Sequence, residues 1–412
     1  MSPLQGSQTP VELRGTQRNS FVHAAARKQR GVALLFVLVA LGLLVGMLAI
    51  GFAGDLVRQN NRQQGTTDAL AQARDALIGW SVQRTSSGAL PNARPGELPC
   101  PDINPLDGFE DGSCAAGAIG RVPWKTLGIP EPKDDAGETL WYAIAGPFQI
   151  WALNFTVINS DTKGDITVFQ DSTATTITTE AVAVVFAPGA SLGAQIRDAA
   201  PTLCPTTGTT IARNLCAANY LDATGGANNA TTNGPYISAQ PSNTFNDRLL
   251  VITTDSLMTP VEQRAAREML TLLDRYKTLS TCNCYPWAAN NFDDNSVVGT
   301  TLGGVPIENA LPEPWGPPAI PVPPSWLPIN KWGEKFYYAV APAETATPTP
   351  GTLTVDVVSK NVVLITPGPA GASRPSPNLP DYLDDAENSN NNDIFVTPSS
   401  TAYARDRIYV IP

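Results

Sequence analysis

One serine lies in a pattern that many hydrolases use around their nucleophile. Residues 189–193 read Gly-Ala-Ser-Leu-Gly, which matches the G-x-S-x-G motif with Ser191 at its centre. A serine nucleophile needs a neighbouring base, usually a histidine. The chain contains a single histidine, His23, close to its N-terminus, and neither a P-loop nor an H-E-x-x-H motif. We therefore predict that Gly189 marks a turn and that the protein is not an enzyme.

A short acidic loop is the best candidate for binding a metal ion. Carboxylate and amide oxygens at close spacing are the ligands that calcium prefers, although the terminal glutamate of an EF-hand loop is missing. The alternative is a set of solvated turns. Calcium is thus the only cofactor that the sequence indicates, and its candidate ligands are Asp102, Asn104, Asp107, Glu110 and Asp111.

The six cysteines favour disulfide bonds, because their number is even and two of the spacings fit short closed loops. These spacings favour Cys100 with Cys114 and Cys204 with Cys216, although sequence alone leaves the connectivity open. A bond between Cys282 and Cys284 would be strained, because one residue separates them. A zinc site is a weaker alternative, since no paired C-x₂₋₄-C knuckles occur and no histidine is near. Disulfides predict an oxidising compartment.

Charge is distributed unevenly along the chain, whose net charge is -10. The first 31 residues are basic, and the remainder is strongly acidic. An acidic body does not match the phosphate backbone of a nucleic acid, so we expect no nucleic-acid partner.

Residues 31–54 form an apolar run without a charge, and about 20 such residues are enough for a helix to cross a bilayer. Basic residues precede the run, which predicts a single-pass inner-membrane anchor with a cytoplasmic N-terminus and a periplasmic body. A cleaved secretory signal and a plain signal anchor are the alternatives. Helical spacing continues beyond the run at Leu70, Ala73, Leu77 and Trp80. The sequence therefore predicts a long N-terminal helix with a membrane half and a soluble half.

The start of the apolar run resembles the cleavage and methylation segment of bacterial type IV pilins and type II secretion pseudopilins. Residues 28–35 read Lys-Gln-Arg-Gly-Val-Ala-Leu-Leu. The resemblance implies that prepilin peptidase cuts between Gly31 and Val32 and that Val32 is then methylated. The sequence departs from the family at Val32, where phenylalanine is usual, and at Phe36, where glutamate is usual. Because it lacks this glutamate, the chain resembles minor or tip subunits more than a subunit that is stacked repeatedly in a filament.

The rest of the chain contains an internal repeat. Two helical stretches, the second with Thr259 as predicted N-cap, are each followed by the same series of features. That series is a Gly-Glu-x-x-aromatic strand, a buried strand closed by Pro-Gly, a Tyr-Leu-Asp triplet, an Asn-rich loop and an Asp-Arg strand. Its landmarks are Gly137 and Gly333, Gly189 and Gly368, Tyr220 and Tyr382, Asn228 and Asn390, and Asp247 and Asp406.

We therefore predict an α+β fold in which a long N-terminal helix, half transmembrane and half soluble, packs on an antiparallel sheet, followed by a second pilin-like helix-plus-sheet head. The predicted parts are a leader (1–31), a stalk helix (32–85), a first head (86–256) and a second head (257–412). The predicted function is a minor pilin or pseudopilin at the tip or initiation complex, with other pilins, prepilin peptidase and the inner membrane as partners. The alternatives are a pilus-presented adhesin or ligand-binding module and a stand-alone membrane-anchored periplasmic protein.

Overall fold

The structure is a computed structural model. It describes eleven stretches of the chain, and all structural statements below concern these. The described residues are 30–85, 93–150, 158–286, 301–302, 305–306, 336–345, 348–366, 368, 383–390, 392–398 and 405–412. Most of the predicted leader, the Gly333 landmark and the Tyr382 landmark lie outside them.

Two α-helices are present in the described parts, α1 (Arg30–Gln83) and α2 (Thr254–Leu279). Thr253 caps α2, since its side chain accepts a hydrogen bond from the Ser256 backbone while the Ser256 side chain accepts one from the Thr253 N–H. The predicted N-cap at Thr259 is therefore wrong. The helix starts six residues earlier, and Pro260 lies inside it.

The strands are short. In the first head they are β1 (Ile119–Arg121), β2 (Trp141–Ile144), β3 (Ile166–Phe169), β4 (Thr176–Ala181), β5 (Ala183–Ala187), β6 (Pro201–Leu203), β7 (Thr210–Ala212), β8 (Ala223–Thr224), β9 (Ala227–Asn228), β10 (Tyr236–Ile237) and β11 (Arg248–Ile252). In the second head they are β12 (Thr301–Leu302), β13 (Val305–Pro306), β14 (Tyr337–Val340), β15 (Leu353–Val355), β16 (Val358–Lys360), β17 (Val362–Thr366), β18 (Ile394–Phe395) and β19 (Arg407–Ile411).

The two heads have matching strand orders. The first head has an antiparallel sheet in the order β1-β2-β5-β11, and the second head has β14-β17-β19, which corresponds to the last three of these strands. Each head also has a small three-stranded sheet with one parallel and one antiparallel pair, β10-β3-β4 and β16-β15-β18. A short 3₁₀ helix follows β2 in the first head, at Gly146–Phe148, and another follows the corresponding strand β14 in the second head, at Pro342–Glu344.

One hydrophobic core joins elements of both heads. It contains Leu77 of α1, Leu273 of α2 and Val185 of the first head, together with Tyr338 and Leu364 of the second head. Side chains alternate across a strand, so the opposite face of β14 and β17 forms a smaller core. The heads thus share their main core through α2.

The predicted fold class is wrong. Strands are divided among several sheets of two to four strands, and two of these sheets include a parallel pair, whereas the prediction was one antiparallel sheet under each helix. Long loops and short hairpins separate the strands, so the sheets remain narrow. The pilin-like second head fails for the same reason.

The predicted membrane anchor is also wrong. No helix among the residues that the structure describes is both long enough and apolar enough to cross a membrane. That finding overturns the transmembrane half of α1 and the single-pass inner-membrane localisation.

The chain divides into two compact units, Met1–Asn61 and Arg62–Pro412. The predicted boundaries of the leader, stalk and heads stay predictions.

Candidate interaction site

An exposed apolar segment of α1 is the most unusual surface among the described residues. Its eight residues, 36–43, are all exposed. Phe36 is 69% exposed and Leu41 is 60% exposed. The eight residues make up about two helical turns, so the helix is exposed on all sides here. A helix that is apolar on every side is normally buried. This segment therefore offers a surface that other apolar groups would cover.

The C-terminal part of α1 packs on the first head. Leu70, Ala73 and Leu77 are buried in the shared core, which confirms the predicted helical spacing at these three positions, while Trp80 is half-buried. Polar contacts reinforce the packing. The Arg248 guanidinium, at the start of β11, donates to the Gln63 carbonyl at 2.9 Å and to the Thr67 hydroxyl at 2.8 Å.

The corresponding arginine of the second head contacts α2 through hydrogen bonds and ion pairs. Arg407, at the start of β19, donates to the Thr259 hydroxyl at 2.8 Å and pairs with Asp255 at 2.6 Å. It also pairs with Glu262, whose side chain is 2% exposed. Each head thus uses an arginine on its last strand to hold its own helix.

This cluster also links the two heads. Glu262 accepts a hydrogen bond from the Ser160 N–H at 2.9 Å, and Arg407 donates to the Ser160 hydroxyl at 2.9 Å. Thr366 on β17 donates to the same carboxylate at 3.3 Å. A loop of the first head, α2 and two strands of the second head therefore meet at one ion pair, in which Glu262 is buried and Arg407 is half-buried. We call Ser160, Asp255, Thr259, Glu262, Thr366 and Arg407 the clasp.

A buried aspartate and asparagine fix the Asn-rich loop of the first head. Asp247 accepts hydrogen bonds from the Asp222 N–H at 2.8 Å and from the Asn229 amide at 3.0 Å. The Asn229 amide in turn exchanges hydrogen bonds with both backbone groups of Ile237. Burial, and then the charge of Asp222, raise the pKa of Asp247 well above its ordinary value.

The second head repeats this arrangement. Asp406 accepts from the backbone N–H groups of Asp384 and Asp385 and from the Asn388 amide at 3.1 Å. Asn388 exchanges hydrogen bonds with both backbone groups of Val396. Burial raises the pKa of Asp406. We call Asp247–Asn229 and Asp406–Asn388 the two latches.

Sequence reasoning did not identify the latches or the clasp. The repeated Asp-Arg pair was visible, but it was interpreted as the start of a strand. A charged pair at the same place in both copies, opening an otherwise apolar strand, was the available signal. The sequence contains no signal that links Glu262 and Ser160 to Arg407, because they are far from it along the chain.

The carboxylates of the predicted calcium loop are bonded to its own backbone. Asp111 accepts from the N–H groups of Ile103 and Asn104, and Glu110 accepts from the Cys100 N–H at 3.2 Å. Asp107 accepts from the Phe109 N–H at 2.9 Å, and Asp102 from the Gly108 N–H at 2.8 Å. These contacts order the loop.

Asp102 is the buried member of this loop, with 2% of its surface exposed. Burial raises its pKa to about 6, against the opposing effect of the Gly108 hydrogen bond. The described residues contain no group of three or more histidine, cysteine or acidic side chains arranged to hold a metal ion. Calcium therefore stays a prediction for this loop.

All six cysteines are paired in the structure. The two favoured local pairs are present, Cys100 with Cys114 and Cys204 with Cys216, and Cys282 is bonded to Cys284. The first two bonds close loops of the first head, and the third follows the end of α2.

The region of the serine motif has the geometry of a turn. Gly189 has a φ of +65°, and its N–H donates to the Asp134 carboxylate at 2.7 Å. The repeat partner Gly368 has a φ of +61°, and a Cβ there would lie 2.1 Å from the Arg405 carbonyl oxygen. Glycine is thus required for the backbone at both positions. The predicted processing residues, Gly31 and Val32, lie in the first turn of α1.

Comparison with known proteins adds no relative. No protein-family model, curated protein or solved structure matches this chain.

Proposed function

We propose that this protein is a structural subunit without enzymatic activity, acting as a minor pilin or pseudopilin at the tip or in the initiation complex of a filament. The observation that carries the proposal is the apolar segment 36–43 of α1, which is exposed on all sides. Helices of other pilin-type subunits are the partners that fit it, because packing such helices side by side removes their apolar surface from water.

The docked heads support a structural role. Arg248 and Arg407 each tie the last strand of a head to a helix, and the clasp links the heads through α2. Three disulfides add covalent closure and are typical of proteins in an oxidising compartment. Heads that are joined by these contacts suit a structural subunit.

The resemblance of residues 28–35 to a prepilin segment supplies the second line of support. It makes prepilin peptidase the processing partner and Val32 the mature N-terminus. The cut would also remove His23.

Mass analysis of the N-terminus tests this pathway. We expect a chain that starts at methylated Val32 in cells with prepilin peptidase and an unprocessed chain in cells without it. Gly31→Ala should block processing. Gly42→Ala is the matched control, since a Cβ at Gly42 would meet nothing within 4 Å, and it should be processed normally. A chain that keeps residues 1–31 in the presence of the peptidase contradicts the proposal.

A further inference from the structure

A cavity of about 360 Å³ lies in the first head between two disulfide-closed loops. One wall comes from the loop closed by Cys100–Cys114, which contributes Ile103 among others. The opposite wall comes from the loop closed by Cys204–Cys216, which contains the β6–β7 hairpin and contributes Ile211. Because both walls are covalently closed, the space between them is preformed.

The deep residues of the cavity are apolar and buried. They are Ala118, Trp141, Ala217 and Ala230. The Trp141 ring is held in place by the Tyr220 ring, with the centroids 5.3 Å apart, and by the Arg121 guanidinium 4.6 Å from its centroid. Its indole N–H has no hydrogen-bond partner in the described part of the chain. The cavity therefore has a base that is apolar apart from this N–H group.

Threonine hydroxyls surround the mouth of the cavity. Thr207, Thr209 and Thr232 are exposed lining residues, and Asn104 adds one amide. No charged side chain lines the cavity in the parts of the structure described. Burying a charged ligand in such a site would cost far more than burying a neutral one.

The two heads differ at this point of the repeat. The first head has a cysteine-closed insertion between Gly189 and Tyr220, whereas the corresponding sequence between Gly368 and Tyr382 is shorter and contains no cysteine. A duplicated fold does not need this insertion to close its sheet, as the β14-β17-β19 sheet shows. The insertion instead builds one wall of the cavity.

We infer that this cavity binds a small neutral molecule, mainly aliphatic, with a hydroxyl or carbonyl group that meets the threonines at the mouth. An apolar cavity of about 150 Å³ is large enough for benzene, and typical ligand pockets start at about 300 Å³. A chain of about eight carbons with one polar end therefore suits the volume. The inference stands whether or not the protein is a filament subunit.

Titration of the full-length chain with 1-octanol tests the inference. Binding is followed by nuclear magnetic resonance of the Trp141 indole N–H, assigned with a Trp141→Phe variant. We expect a saturable shift of that signal. Sodium octanoate, which has the same chain length and a charge, should bind at least about tenfold more weakly, because its carboxylate must lose water.

Two neighbouring substitutions provide the matched variants. Ala115 is exposed and lines the cavity, whereas Ala116 is exposed and does not. Ala115→Trp should weaken octanol binding at least about tenfold by filling the mouth, and Ala116→Trp should leave it within about twofold. Unchanged circular dichroism checks that both variants fold. Absence of a saturable Trp141 shift in the unmodified chain, or equal binding by the two variants, overturns the inference.

Discussion

Single buried polar residues decide the shape of the loops at the end of each head. Asn229 and Asn388 have no exposed surface. Each side chain forms hydrogen bonds with the N–H and the carbonyl of one backbone residue and donates to a buried aspartate. Removing such a group leaves several buried donors and acceptors without partners, which costs more than the bonds themselves contribute. Residue-scale effects should therefore be large at the latches.

Asn229→Ala and Asn388→Ala should each lower the free energy of unfolding by about 3 kcal/mol, because an aspartate and a backbone N–H lose a buried partner. Urea denaturation measures the change. Asn392→Ala is the control, since Asn392 makes its hydrogen bonds at an exposed site, and it should cost less than about 1 kcal/mol. Similar losses in all three variants would show that burial in the latches is unimportant.

Asp102 should make stability depend on pH. Its pKa is raised to about 6, so between about pH 4 and pH 6 the folded chain keeps a proton that the unfolded chain has released. The stabilisation from this group is therefore present below pH 4 and is lost as the pH rises through 6. Relative to Asp102→Asn, the unmodified protein should lose stability over that interval.

Urea denaturation of both proteins at pH 3.5, 5 and 7 measures this difference. Asp75→Asn serves as the control, because Asp75 is exposed on α1 and is not among the groups that shift the pKa of Asp102. A constant difference between the Asp102 variant and the unmodified protein at all three pH values contradicts the burial effect.

At the scale of elements, the last strand of each head holds a helix through one arginine, but the two contacts differ in burial. Arg248 reaches exposed acceptors on α1, whereas Arg407 reaches the buried Glu262 carboxylate on α2. An exposed contact contributes little, while an unpaired buried charge is strongly destabilising. Equivalent positions should thus respond very differently to the same substitution.

Arg407→Met should lower the free energy of unfolding by about 3–5 kcal/mol, since it leaves the Glu262 carboxylate buried without its partner. Arg248→Met, the matched variant in the first head, should cost less than about 1 kcal/mol. The double variant Arg407→Met/Glu262→Gln should recover much of the loss, because the neutral amide removes the buried charge and its oxygen can still accept from the Ser160 N–H. Equal effects of the two arginine substitutions would show that the clasp does not carry a buried charge pair.

Local patterns predicted part of these elements. The spacing of Leu70, Ala73 and Leu77 located the buried face of α1, and cysteine spacing favoured two of the three disulfides. The predicted start of α2 is wrong, because Pro260 has the residue type of a first helical position while the Thr253 capping box lies six residues before the predicted N-cap. Strand pairing joins segments that are far apart in the sequence. Short local motifs therefore do not predict which strands form each sheet.

At the scale of the whole molecule, the main core is shared by both heads. Tyr338 and Leu364 of the second head lie in the same core as Val185 of the first. The repeat in the sequence predicted two successive heads and could not show this sharing, because contacts between copies leave no periodic signal. The clasp could not be predicted from the sequence either, because Ser160, Glu262 and Arg407 come from three separate regions of the chain.

A shared core predicts that the heads unfold together. Leu364→Ala should destabilise by about 2–5 kcal/mol and should lower hydrogen-exchange protection of β5 in the first head as well as β17. Val358→Ala is the control, because Val358 on β16 is 54% exposed, and it should leave the protection of both β5 and β17 almost unchanged. Two separate unfolding transitions would contradict a shared core.

The central claim is that the apolar segment 36–43 of α1 is covered by helices of other pilin-type subunits. Photo-crosslinking in cells tests it most directly, with a crosslinking amino acid in place of Leu41, which is 60% exposed, and at Ile177 on β4, which is 48% exposed, as the control. We predict crosslinks from position 41 to the apolar helices of other pilin-type subunits and none of these from position 177. If position 41 captures no such subunit while the chain is folded and processed at Gly31, the claim is wrong.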